Sequence, residues 1–253
     1  MDSLWILKKM TEPLNKDAVL NQIKNLKEYL RYDTRYSLPR PFNIEFAGPP
    51  SVGKTSVIAG IDDFLRPLGL GKIWPPQEGP REIRHIPRST PDYNIRTAMY
   101  SLTKLLDESH DSRYDLILFD RCAFDAYCWM EYWEKKGKLS PGDKFIFQSY
   151  FTSRQFTEKI DICYFLVCDP NMSMNREFKD AISDDIRETT NLESIKMLDQ
   201  IWRRTYALQH SFHPNLRLID TTNINVSEMT RMIVKDILTT LEAKSTHSIK
   251  TQG

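Results

Sequence analysis

The octapeptide Gly48-Pro49-Pro50-Ser51-Val52-Gly53-Lys54-Thr55 constrains this chain more than any other feature. Immediately before it, Phe42-Asn43-Ile44-Glu45-Phe46-Ala47 reads as a short strand. Immediately after it, Ser56 to Leu65 is amphipathic at helical spacing and is stopped near Pro67 and Gly69. A strand that turns through a glycine loop into a helix aims backbone N–H groups and the positive end of a helix dipole at one point. That is the physical requirement for holding phosphate oxygens. A Gly/Pro turn entering a helix gives no reason for Lys-Thr to follow the second glycine. In the phosphate-loop reading Lys54 reaches the β- and γ-phosphates of a nucleoside triphosphate, and the Thr55 hydroxyl holds Mg²⁺.

The rest of the chain supplies the alternation that such a loop needs. Lys72-Ile73-Trp74 is a weak second strand entering a Pro-rich loop, Tyr114 to Phe119 is a dense apolar strand, and Ile160 to Val167 and Leu216 to Asp220 are two more. Helical periodicity covers Asn94 to Leu106, the aromatic-rich stretch Phe124 to Phe156 with a break at Pro141-Gly142, and Val226 to Leu241. The expected fold is α/β: a three-layer P-loop NTPase with a mainly parallel five-stranded sheet and helices on both faces. Val19, Leu20, Ile23, Leu26 and Leu30 add an N-terminal amphipathic helix. The expected organisation is a helical extension over 1–40, a P-loop domain over 41–243 and a fraying tail over 244–253.

Composition bounds the partners. With 253 residues, 40% of them hydrophobic and 27% charged, the chain can bury a single core without staples. Lysine and arginine total 35 against 34 acidic residues, so no global field pulls it onto nucleic acid or anionic membrane. No apolar run approaches the roughly 18 residues of a bilayer span, and Met1 to Met10 lacks a signal-peptide core, which predicts a cytoplasmic protein. Cys122, Cys128, Cys163 and Cys168 lack CxxC spacing and read as buried thiols. The five histidines show no ligand spacing, so Mg²⁺ arriving with nucleotide is the metal expected.

Leu116-Ile117-Leu118-Phe119-Asp120 is an apolar strand ending in a carboxylate, as a Walker B strand does, with the alternative that Asp120 caps the next helix. Arg121 follows directly. Phe119-Asp120-Arg121-Cys122-Ala123-Phe124, taken with the phosphate loop, resembles the thymidylate kinase and deoxynucleoside kinase superfamily, from about Phe42 to Leu241. The resemblance implies that Arg121 contacts the transferring phosphoryl group or the acceptor, and that Asp120 orders Mg²⁺ or accepts a proton. Cys168-Asp169-Pro170-Asn171 resembles the start of the LID segment in these kinases, which makes Arg176, and further on Arg187, candidates to close over the donor phosphates. Thr221-Thr222-Asn223 would border the adenine ring.

The acceptor stays open. Glu78 falls where deoxynucleoside kinases present a base for a hydroxyl acceptor, while Arg81, Arg84, Arg88 and Arg96 are suited to an acceptor phosphate. The loop from Pro75 to Arg81 matches the family only loosely, and the extension before Phe42 has no place in the minimal kinase. Asp125 is a candidate contact to sugar or base, though a first-turn acid needs no ligand to account for it. Trp129, Tyr132 and Trp133 suit a core better than a base-stacking wall. The resulting expectation is an ATP- and Mg²⁺-dependent phosphotransferase acting on a nucleoside or nucleoside monophosphate, with a homodimer left open. Two alternatives stand beside it: a kinase of a hydroxylated base in DNA, of the 5-hydroxymethyluracil type and disfavoured by the charge balance, and a P-loop ATPase serving as a switch. GTP is disfavoured because no Asn-Lys-x-Asp motif is present.

Overall fold

Phe42–Ala47 forms β1, buried along its whole length. A strand buried on both faces belongs in the middle of a parallel sheet, where helices cover each side, although this one carries Asn43 and Glu45 on the face opposite Phe42, Ile44 and Phe46. The computed structural model describes residues 17–22, 24, 40–67, 83, 85–111, 114–180 and 191–250, with backbone alone at 177–180 and 245–250. In chain order, β1 is followed by α1 (Lys54–Leu65), α2 (Pro91–Glu108), β2 (Leu116–Asp120), α3 (Ala123–Lys135), α4 (Pro141–Phe151) and the short α5 (Arg154–Thr157). The second half comprises β3 (Ile162–Val167), α6 (Pro170–Asp180), α7 (Leu192–Gln209), β4 (Leu216–Asp220) and α8 (Val226–Lys250).

All strand pairs are parallel and their order is β2-β1-β3-β4, which puts β1 between the two strands that follow it in the sheet. Alternating side chains divide the core into two layers. Ile44, Phe46, Leu118 and Tyr164 pack with residues of α1 and α8 on one face. Ile117, Phe119, Phe165 and Val167 pack with residues of α2, α3 and α7 on the other. Helices on both faces agree with the expectation. Among the described residues the sheet has four strands rather than five, because the expected strand at Lys72-Ile73-Trp74 lies outside them.

Local chemistry sets the element ends. Pro141 opens α4, with the Ser140 hydroxyl accepting from Asp143 N at 3.0 Å. The preceding break centres on Gly137, whose φ of +67° takes the chain out of α3. Asn191 caps α7 by accepting from Ser194 N. The last helix runs to Lys250, past the end expected at Leu241 and into the segment expected to fray. Residues 17–22 and 24 are helical and Val19 is buried against the core, while Leu26 and Leu30 of the expected extension lie outside the described residues. The four cysteines are free and buried. Among the described residues no helix is long and apolar enough to cross a membrane.

Candidate active site

The C-terminal ends of the central strands converge on the loop from Gly48 to Thr55. Gly48 has to be glycine because a Cβ there would sit 2.5 Å from the Leu166 carbonyl oxygen of β3. Gly53 takes φ +96° at the start of α1, a left-handed conformation that favours glycine. The loop and α1 thus present their N–H groups to a cleft of about 650 Å³. Residues 50–56, Arg88, Asp120, Arg121 and Arg176 line it, with Thr221 and residues 224–226 and Met229 forming the remaining wall.

Lys54 is buried and its Nζ donates to the carbonyls of Gly48 and Pro49 at 2.8 and 2.7 Å, so the ammonium lies inside the curl of the loop. The β1–β2 register sets Asp120 beside Phe46, next to the loop. The Thr55 hydroxyl donates to Asp120 Oδ2 at 3.0 Å. The other carboxylate oxygen, Oδ1, is buried and has no hydrogen-bond partner among the described residues. A hydroxyl and an unsatisfied carboxylate oxygen are hard donors that fit Mg²⁺, which keeps several waters and takes further ligands from phosphates. No group of three or more His, Cys, Asp or Glu that could hold a metal occurs among the described residues.

Arg121 adopts φ +77°, a strained region for a side chain of its size. Its N–H donates to the Phe46 carbonyl at 3.0 Å. Its guanidinium lies 5.5 Å over the Trp129 ring and 3.6 Å from Asp125 Oδ2. Across the cleft, Arg176 donates to Thr221 Oγ1 at 3.2 Å and to its carbonyl at 2.9 Å, and the Thr221 hydroxyl donates to the Val52 carbonyl at 3.0 Å. Arg176 is thereby tied to the phosphate loop through one threonine.

Asp125, read as a candidate contact to sugar or base, is packed into the protein. It is 1% exposed, behind the loop, where Oδ1 accepts from Gly48 N at 3.0 Å and Oδ2 from Trp129 Nε1 at 2.9 Å. Burial raises its pKa, and the charges of Arg121 and Lys54 oppose that rise. Arg96 is exposed on α2 and does not line the cleft, whereas Arg88 does. Glu78, Arg81, Arg84 and Arg187 lie outside the described residues. Trp129, Tyr132 and Trp133 are buried core residues.

Glu45 escaped the reading of the sequence. It is fully buried in β1, and its carboxylate accepts from Cys122 N, Phe124 N and Asp125 N at 3.0, 3.2 and 2.8 Å. Burial lifts its pKa to about 7 against the opposing pull of these N–H bonds, and the neighbouring Asp125 charge adds to the rise. The available signal was a carboxylate inside a mostly apolar strand, since such a charge is buried only where fixed donors await it.

No protein-family model and no curated protein sequence matches the chain. Solved structures do resemble it. The deoxyadenosine kinase from M. mycoides, solved with the products dCMP and a flexible dCDP, superposes with a TM-score of 0.59 at 15% identity, over 78% of this chain and 100% of that one. The same kinase with bound dATP gives 0.57 at 16% identity, over 78% and 98%. The thymidylate kinase from Candida albicans gives 0.54 at 11% identity, over 81% and 94%. Taken with the glycine loop and the parallel sheet, these likenesses give the chain a P-loop fold of the deoxynucleoside and thymidylate kinase kind.

Proposed function

We propose that this protein is an ATP-dependent phosphotransferase that moves the γ-phosphoryl group to a nucleoside or a nucleoside monophosphate. The observation that carries the reading is the Thr55–Asp120 hydrogen bond of 3.0 Å beside the Lys54 loop, with Asp120 Oδ1 left free of protein donors among the described residues. Phosphoryl transfer asks the protein mainly for positioning and for charge where the phosphoryl group becomes most anionic. The loop N–H groups and Lys54 hold the donor phosphates. Mg²⁺, held by Thr55 and Asp120, would neutralise charge on the phosphate oxygens. Arg121 and Arg176 approach from different walls and donate to the transferring group.

The charge of the cleft bears on the acceptor. Lys54, Arg88, Arg121 and Arg176 stand against Asp120 alone among its described lining residues, which suits an acceptor that brings phosphate of its own. The M. mycoides and C. albicans likenesses support a nucleoside or nucleotide as the acceptor class. The test incubates purified protein with γ-labelled ATP, Mg²⁺ and a panel of nucleosides, nucleoside monophosphates and oligonucleotides with and without 5-hydroxymethyluracil. Label should move to a nucleoside or nucleoside monophosphate. Label on the oligonucleotide would favour the DNA-directed alternative. Hydrolysis that is equal with and without every acceptor would favour the switch ATPase.

A further inference from the structure

We propose that Glu45 is the positioning residue that sets Arg121 over the cleft, by clamping the turn between β2 and α3 from the middle of β1. The proposal rests on the phosphotransferase reading above and adds to it a residue that touches neither nucleotide nor metal.

Two consecutive residues of β1 grip the turn. The Phe46 carbonyl takes the N–H of Arg121, and the Glu45 carboxylate takes the N–H groups of Cys122, Phe124 and Asp125. Between them they fix the residues on which the left-handed backbone of Arg121 depends. Such a conformation persists only where its surroundings over-determine it.

A helix start of this kind is ordinarily capped at lower cost by a hydroxyl or carboxamide at the residue before it. Cys122 offers no side-chain cap to α3. The chain instead buries an acid in its central strand, a choice that packing alone does not explain. The helix dipole and three fixed donors make the site one that an anion can occupy. Cys122 at the start of α3, Cys128 within it and Cys163 of β3 also lie within its field, as does the charge of Asp125.

Asp125 carries the clamp on to the nucleotide side. Its backbone is held by Glu45, and its carboxylate binds Gly48 N and Trp129 and faces Arg121. Gly48 opens the phosphate loop. Two buried carboxylates therefore lock the loop and the arginine into one register, so that a phosphoryl group held by the first meets the second.

The test uses Glu45→Gln, which keeps the shape but turns an amide N–H₂ toward one of the three backbone donors. Turnover should fall about tenfold or more while KM for ATP stays within about twofold, the pattern of a group that acts only in the transition state. Amide exchange at Cys122, Phe124 and Asp125 should quicken by about tenfold, with the remaining protection unchanged. Arg121→Ala combined with Glu45→Gln should be no slower than Arg121→Ala alone, because the second change acts through the first. Near-native turnover in Glu45→Gln, or losses that multiply in the double variant, would overturn the proposal. If Glu45→Gln fails to fold, Asp125→Asn carries the same prediction from the other end of the link, and near-native turnover in it overturns the link. If the unaltered protein transfers phosphate to no acceptor, the phosphotransferase reading fails by itself. Exchange then decides the clamp: faster exchange confined to those amides upholds it, and native exchange sinks it.

Discussion

Glu45 and Arg121 both depart from what local preference would choose. One is an acid inside a central strand, the other a bulky residue at φ +77°. The acid has a measurable consequence for stability. Its pKa is raised to about 7 in the folded protein from the ordinary 4.5 of a free glutamate, so between those pH values the folded state keeps a proton that the unfolded chain releases. The unfolded state then binds fewer protons, and this group's contribution to stability falls as pH rises through the window. The whole fall is on the order of 3 kcal/mol. Urea unfolding of the unaltered protein and of Glu45→Gln at pH 4.5 and at pH 8 should show the variant gaining relative stability at the higher pH. A difference between the two proteins that does not vary with pH would contradict the assignment.

At the scale of elements, the site depends on how closely β1 approaches β3 where the phosphate loop leaves the sheet. Gly48→Ala would push a methyl group against the Leu166 carbonyl, 2.5 Å away, and backbone cannot rotate aside as a side chain can. A loss of about 1–3 kcal/mol in chemical unfolding is expected, with weaker ATP binding because the Asp125–Gly48 bond moves too. The elements themselves were legible because their signals are local. β1 and β4 fall on the residues read as strands, while the break read at Pro141-Gly142 falls just before them, between Lys135 and Pro141. The clamp was not legible. Glu45 and its donors are 77 to 80 positions apart, and only the parallel pairing of β1 with β2 brings them together. Asp125 was visible as a first-turn acid, but its partner Gly48 lies 77 positions away, so its burial behind the loop was not.

For the molecule as a whole, the sheet order β2-β1-β3-β4 places the loop, the Asp120-Arg121 turn and the α6 arginine at one edge of the sheet. Parallel strands end on the same side, and ligands of open α/β sheets bind beyond those ends. This much followed from the order of motifs along the chain, and the likeness to the deoxynucleoside and thymidylate kinase structures agrees with it. The expected acceptor residues Glu78 and Arg81 lie outside the described residues, so the donor side of the cleft carries the account. On the proposed function, one cleft both binds ATP and drives transfer of its γ-phosphoryl group. The most direct measurement is label transfer from γ-labelled ATP to the best acceptor of the panel, run beside ATP binding, for the unaltered protein, Lys54→Ala and Arg121→Ala. Transfer is expected from the first, none detectable from the second with its fold intact, and about a hundredfold slower transfer from the third with ATP affinity nearly unchanged. Near-native transfer by Lys54→Ala, or phosphate release that no acceptor alters, would contradict it.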